Sequence, residues 1–189
     1  MIKTKAELKD YLKCERLRYL GSMSNIVYFV RYLGHFEDAI LWHYQRNLRY
    51  TEYYKNTGRN IMYTFYRVKL NYLMLKTQIH ISPNTCDKGL KIMHVGPIII
   101  NGRVRIGKNA TIHVMTSFVV GGNNNDTPVI GDNVVIGIGS HVVGGVFLPD
   151  GIAVGAGAVV VSSFHEENIT VAGVPAIKIS NSGREKWGE

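Results

Sequence analysis

The stretch VIGDNVVIGIGSHVVGGVFLPDGIAVGAGAVV, Val129 to Val160, decides how this chain folds. Ile130, Ile136, Val142, Leu148, Val154 and Val160 stand six residues apart. Counted backward, the same step meets Phe118, Ile112, Ile106 and Ile100, with Asn124 as the one polar member. Turn formers follow many of these positions: Asn101, Gly107, Gly131, Gly137, Pro149 and Gly155. Four residues after each aliphatic the side chains are mostly small or medium, as at Val104, Ala110, Val134, Ser140 and Ala158. A period of six is neither the helical 3.6 nor the strand alternation of two. It describes short strands, each followed by a turn, with one aliphatic per turn pointing inward. Three such units make one coil of a triangular prism, and the coils stack because no single unit can bury its own residue. An ordinary β-sandwich places turn signals every ~8–12 residues and does not hold this phase. The expected fold is mainly β, a parallel β-helix of repeating hexads preceded by an α-helical N-terminal region.

The hexads set the domain boundaries. Residues 78–180 read as the β-helix, 1–77 as the helical region and 181–189 as a tail. Gly121-Gly122-Asn123-Asn124-Asn125-Asp126-Thr127-Pro128 interrupts the aliphatics but keeps the phase, since Phe118 and Ile130 are two hexads apart. It reads as a loop, 121–128, hung on a coil corner, where repeat scaffolds carry binding residues. Upstream, Thr4-Lys5-Ala6-Glu7 is a capping box that opens a first helix ending near Gly21. Further helices are expected over about 25–33, 35–54 and 59–75, from apolar residues at helical spacing.

Charge is uneven. Residues 1–77 hold 14 Lys and Arg against 6 Asp and Glu, while residues 78–189 hold 8 against 8. The basic surplus suits either a solvated helical surface or contact with an anionic partner such as a membrane surface. All eleven tyrosines fall at or before Tyr72. Interleaved Tyr and Arg are read as amphipathic packing, because no nucleic-acid motif accompanies them. Two cysteines, Cys14 and Cys86, have neither metal nor redox spacing, so no disulfide is expected. No signal-peptide core is seen and no apolar run approaches a membrane span. A cytoplasmic protein is expected, with peripheral contact at the inner membrane face as the variant that the basic helices suggest.

Five segments resemble the serine acetyltransferase-like branch of the left-handed β-helix, or hexapeptide-repeat, acyltransferases. Ile130-Gly131-Asp132-Asn133-Val134 is similar to hexads found across that superfamily. Ile136-Gly137-Ile138-Gly139-Ser140 and Val154-Gly155-Ala156-Gly157-Ala158 resemble its IGAGS coils. Ala172-Gly173-Val174-Pro175-Ala176 resembles its closing AGVPA segment, and Ile92-Met93-His94-Val95-Gly96 lies where the family carries a catalytic DHATG-like histidine. The resemblance implies the left hand of the helix, against the general right-handed preference of parallel crossovers. It also implies acetyl-CoA as co-substrate, no metal, and a homotrimer or dimer of trimers with cofactor grooves between subunits. His94 then becomes the general base, since a neutral imidazole can take a hydroxyl proton near pH 7. Gly122 becomes a candidate oxyanion donor. Ile138, Gly139, Ala156 and Lys178 would line the groove, with Lys178 toward the nucleotide phosphates.

Two departures bear on the acceptor. The family's DIHP segment, whose Asp orients the catalytic histidine, is met here by His80-Ile81-Ser82-Pro83, so His80 takes the Asp position. The loop lacks the Arg and His of serine acetyltransferases and offers Asn123, Asn124 and Asp126 instead. An Arg suits bidentate grip on an amino-acid carboxylate, whereas amides suit sugar hydroxyls. The expected reaction is therefore O-acetylation of a sugar or of a capsule or surface-polysaccharide precursor, with L-serine as the alternative acceptor. A non-catalytic β-helix binding module is the alternative of another class. A γ-type carbonic anhydrase is disfavoured, because no His-x4-His pair occurs.

Overall fold

The computed structural model describes residues 1–122 and 126–187. The chain forms two compact units, Met1–Ile79 and His80–Glu189.

The first unit holds four helices, α1 (Lys5–Leu20), α2 (Asn25–Leu33), α3 (Glu37–Asn56) and α4 (Asn60–Thr77). Thr4 caps α1 as expected. The Glu7 N–H donates to Thr4 Oγ1 at 3.1 Å, and the Thr4 N–H donates back to Glu7 Oε2 at 2.8 Å. α3 is the centre of the unit, with α1, α2 and α4 packed against it. Its Arg49 is fully buried and holds two carboxylates. One is Glu15 of α1, with Nε to each oxygen at 3.0 Å, and the other is Glu52, with Nη1 to Oε2 at 2.8 Å. One buried cation consumes two acids, so the remaining surface of this unit is more basic than its composition implies.

The second unit is the β-helix. Its strands fall into three faces. The first contains β1 (Ile79–Ile81), β3 (Ile98–Ile100), β6 (Thr116–Val119), β9 (His141–Val143) and β12 (Val159–Val160). The second contains β4 (Arg105–Ile106), β7 (Val129–Ile130) and β10 (Phe147–Leu148). The third contains β2 (Lys91–Ile92), β5 (Thr111–Ile112), β8 (Val135–Ile136), β11 (Ala153–Val154), β13 (Thr170–Gly173) and β14 (Ala176–Ser180). Neighbours in register are parallel until β14, which turns back antiparallel on β13 at the Ala172–Ala176 segment.

The ladder of sixth residues is buried as expected and cycles through the faces. Ile100, Phe118, Val142 and Val160 stack inside the first face, Ile106, Ile130 and Leu148 inside the second, and Ile112, Ile136 and Val154 inside the third. Asn124 lies outside the described residues. Arg105 pairs with Val129, a step of 24 residues, where the next coil steps by 18 from Val129 to Phe147. The longer step exceeds the shorter by six residues, one hexad, so the phase survives.

The corner between the second and third faces shows why the hexads read Gly-Asp-Asn. Asn109, Asn133 and Asn168 have φ of 57°, 54° and 55°, the left-handed region that Asn tolerates. Asp132 Oδ1 accepts the Lys108 N–H at 2.7 Å, and Asp150 Oδ1 accepts the Asp132 N–H at 2.7 Å. Each coil's turn is satisfied by the carboxylate of the next.

Both cysteines are free. Among the described residues no helix is long and apolar enough to cross a membrane, and no cluster of His, Cys, Asp or Glu could hold a metal ion.

Candidate active site

His94 stands on the corner joining the third face to the first. Four turns stack there: residues 93–97, 113–115, 137–140 and 155–158. Backbone hydrogen bonds tie them together. The Met93 N–H donates to Ile112 O at 3.0 Å, Gly139 N–H to Val114 O at 3.1 Å, and Gly157 N–H to Ile138 O at 2.8 Å. Gly139 and Gly157 have φ of 69° and 67°, a turn conformation that L side chains rarely adopt.

The first of these turns is longer than the rest. Ile92 pairs with Ile112, a step of 20, but Ile98 pairs with Thr116, a step of 18. Two extra residues therefore lie between Ile92 and Ile98, and they push the His94 corner outward. His94 is exposed. It is two residues past the buried ladder position on its face, which is Ile92.

His113 lies one coil on, at the foot of the same corner, half-buried, its N–H donating to Ile136 O at 3.0 Å. Burial, and secondly the charge His94 would carry, lower its pKa from the ordinary 6.5. It is thus neutral at neutral pH. The family resemblance gives His113 no role. A signal was present: His113 directly follows Ile112, which stacks on Ile92, so it belongs to the coil corner above His94.

Ile138 is 47% exposed, Ala156 and Gly157 are exposed and Gly139 is half-buried. His94, His113, Ile138, Gly139 and Ala156 thus occupy successive levels of one corner. Lys178 is elsewhere, on the antiparallel strand β14, and ion-pairs with Glu166 at 2.5 Å. A phosphate would have to compete with that carboxylate.

Gly122 is on the other end of the first face, at the corner toward the second. Gly121, Gly122, Gly144, Gly145, Val161 and Ser163 line a cleft of about 330 Å³ there. Asp126 sits over Gly145 in the same place. Within one chain a strand of three or four residues separates this cleft from His94, about 10 to 13 Å at strand rise. Asn123 and Asn124 lie outside the described residues.

His80 is exposed in the middle of β1. Asp87, a carboxylate four residues after Pro83, accepts the Lys88 N–H at 2.7 Å.

No family model matches the chain. A serine acetyltransferase of Staphylococcus xylosus is 33% identical over 113 residues, covering 57% of this chain and 51% of that protein. A serine acetyltransferase of Buchnera aphidicola is 28% identical over 143 residues, covering 74% of this chain and 51% of that protein. The structure of a serine acetyltransferase from Brucella abortus in complex with coenzyme A superposes with a TM-score of 0.71 at 22% identity, covering 94% of this chain and 68% of that one. This chain is a left-handed β-helix protein of the hexapeptide-repeat kind, similar to the serine acetyltransferases. The match includes the N-terminal helices as well as the coils. The chain spans about half the length of the relatives it matches in sequence.

Proposed function

We propose that this chain is an acetyl-CoA-dependent O-acetyltransferase with His94 as general base and L-serine as its acceptor. One observation carries the reading: the corner that carries His94 on a turn lengthened by two residues runs on into the 137–140 and 155–158 turns, where Ile138, Ala156 and Gly157 are exposed. The sequence likeness to serine acetyltransferases supports serine over a sugar.

The chemistry is a single group transfer. The neutral His94 imidazole accepts the proton of the acceptor hydroxyl as the oxygen attacks the thioester carbonyl. The carbonyl electrons move onto oxygen, and backbone N–H donors stabilise that oxyanion. Collapse expels the CoA thiolate, which takes the proton back from the imidazolium. Neutral His113 beside His94 adds no positive charge that would oppose proton uptake. The exposed Ile138, Ala156 and Gly157 offer a surface for the pantetheine arm.

The cleft at Gly122 and Asp126 lies at a different corner of the same chain. A homotrimer unites the two by bringing the His94 corner of one chain to the Gly122 corner of the next. The solution mass tests this, and a monomer removes the shared cleft.

A second reading, O-acetylation of a sugar or surface-polysaccharide precursor, rests on the loop composition. Residues 121–128 contain no Arg or Lys to hold a carboxylate. The basic helical unit would then bring the enzyme to a membrane-bound acceptor. Thiol release from acetyl-CoA, followed with L-serine and separately with nucleotide-sugars, decides between them. Turnover confined to sugars rules out serine. No turnover with any hydroxyl acceptor, in wild type and His94→Ala alike, rules out the transferase.

A further inference from the structure

Over β3, β6, β9 and β12 the outer side of the first face is mostly apolar. Ile99 is 52% exposed there, and Val119, Val143 and Val159 are half-buried. Ser117 and His141 are the polar residues among them. Strand register stacks Ile99, Ser117, His141 and Val159 in one column, about 5 Å from level to level. Ser117 Oγ lies 2.8 Å from His141 Nδ1. His141 is exposed, and its Nε2 has no partner among the described residues.

We propose that three His141 side chains, one from each chain of a homotrimer, bind one divalent first-row transition ion on the threefold axis. The inference rests on the trimer reading above and not on the identity of the acceptor. The first face lies between the His94 corner and the Gly122 corner, and the trimer joins each His94 corner to the next chain's Gly122 corner. Three triangular prisms meet at those corners only with their first faces turned to the axis. Turned the other way, the corners to be joined stand a full face apart. One face spans a hexad, about 20 Å at strand rise, so a channel of three such faces holds the middle of each about 6 Å from the axis. That is within reach of an imidazole. The apolar outer side of the face is what such a buried channel requires.

The Ser117 contact suits ligation. A ligating imidazole donates its other ring N–H to an acceptor that fixes its tautomer and orientation. Nδ1–H donating to Ser117 Oγ leaves the Nε2 lone pair for the ion. Three neutral imidazoles and a water make a four-coordinate site of the kind Zn²⁺ takes. Val159 on one side, and Ile99 beyond Ser117 on the other, close the channel with apolar layers. A single chain carries only one of the three ligands, so the site is incomplete without its partners.

Metal content and solution mass of the full chain test it. Protein stripped with EDTA is weighed in solution, loaded with Zn²⁺, desalted and analysed for bound metal. One Zn²⁺ per three chains is expected in the wild type and none in trimeric His141→Ala. Ser117→Ala keeps the ligands but loses their orienting partner, so its Zn²⁺ affinity should fall by about 10- to 100-fold. Co²⁺ in place of Zn²⁺ should give the visible absorption of a four-coordinate site, absent from His141→Ala. A stripped protein that is trimeric and takes up no Zn²⁺ overturns the site and leaves the trimer standing. A monomer overturns both. Zn²⁺ retained by His141→Ala, or bound at one ion per chain, means ligation elsewhere and also overturns the proposal.

Discussion

His94 and His43 show opposite uses of an imidazole. His94 is exposed on a lengthened turn, so replacing it removes chemistry and little packing. His94→Ala is expected to lower kcat/KM for acetyl transfer by about 10²- to 10⁴-fold, with the wild-type circular dichroism spectrum retained. His43 is buried in the helical unit, its Nδ1 3.1 Å from the Tyr28 hydroxyl and its ring stacked on Tyr32 at 4.3 Å between centroids. Burial, then Lys69 and Arg46, push its pKa down to about 4. The unfolded chain, with an ordinary imidazole near 6.5, binds the proton more readily than the native state. Stability contributed by neutral His43 is thus present above pH 6.5 and is lost as the pH falls toward about 4. Urea midpoints measured from pH 7 to pH 4 should fall for the wild type. His43→Gln should fall less steeply over the same window, and equal slopes would contradict the assignment.

At the scale of elements, two contacts dominate. Arg49 fastens α1 to α3 by holding Glu15 and Glu52 with no solvent access to its side chain. Arg49→Ala leaves two buried carboxylates without a cation, which costs about 3–5 kcal/mol, readable as a lowered urea midpoint. The coils are held at closer range. A Cβ on Gly137 would stand 2.7 Å from Ala156 N and from Val154 O, and 2.8 Å from Gly155 C. These are backbone atoms of the next coil and cannot swing aside. Gly137→Ala should therefore destabilise the β-helix by about 1–3 kcal/mol, with the helical unit's far-ultraviolet signal unaffected at temperatures where the coils melt.

For the whole molecule, the reading as an acetyl-CoA enzyme predicts ligand linkage. Acetyl-CoA at 100 times its Kd should stabilise the native state by about 2.7 kcal/mol, seen as a raised thermal midpoint. The shift should persist in His94→Ala, because the base acts on the acceptor hydroxyl and not on the cofactor. A shift lost with His94 would place the histidine in cofactor binding rather than in proton transfer.

The hexad phase by itself determined the coil, its three faces and its buried ladder, because a six-residue repeat has one way to hide one aliphatic per strand. The capping box and the apolar spacing likewise fixed the four helices to within a few residues. Deviations from the repeat were harder to interpret. Counting back by six from Ile100 lands on His94, which reads as a ladder position. Strand pairing puts Ile92 in the ladder and His94 two residues out on the corner. Only register between coils reveals such an insertion, since pairing is a long-range property that composition does not carry. The same holds for His113 beside His94, for Gly122 on a separate corner, and for the pairing of Lys178 with Glu166. The sequence determined the scaffold, because its rule is local and repeated. Tertiary structure alone decided which side chains share a corner, because that depends on how many residues each turn inserts between one coil and the next.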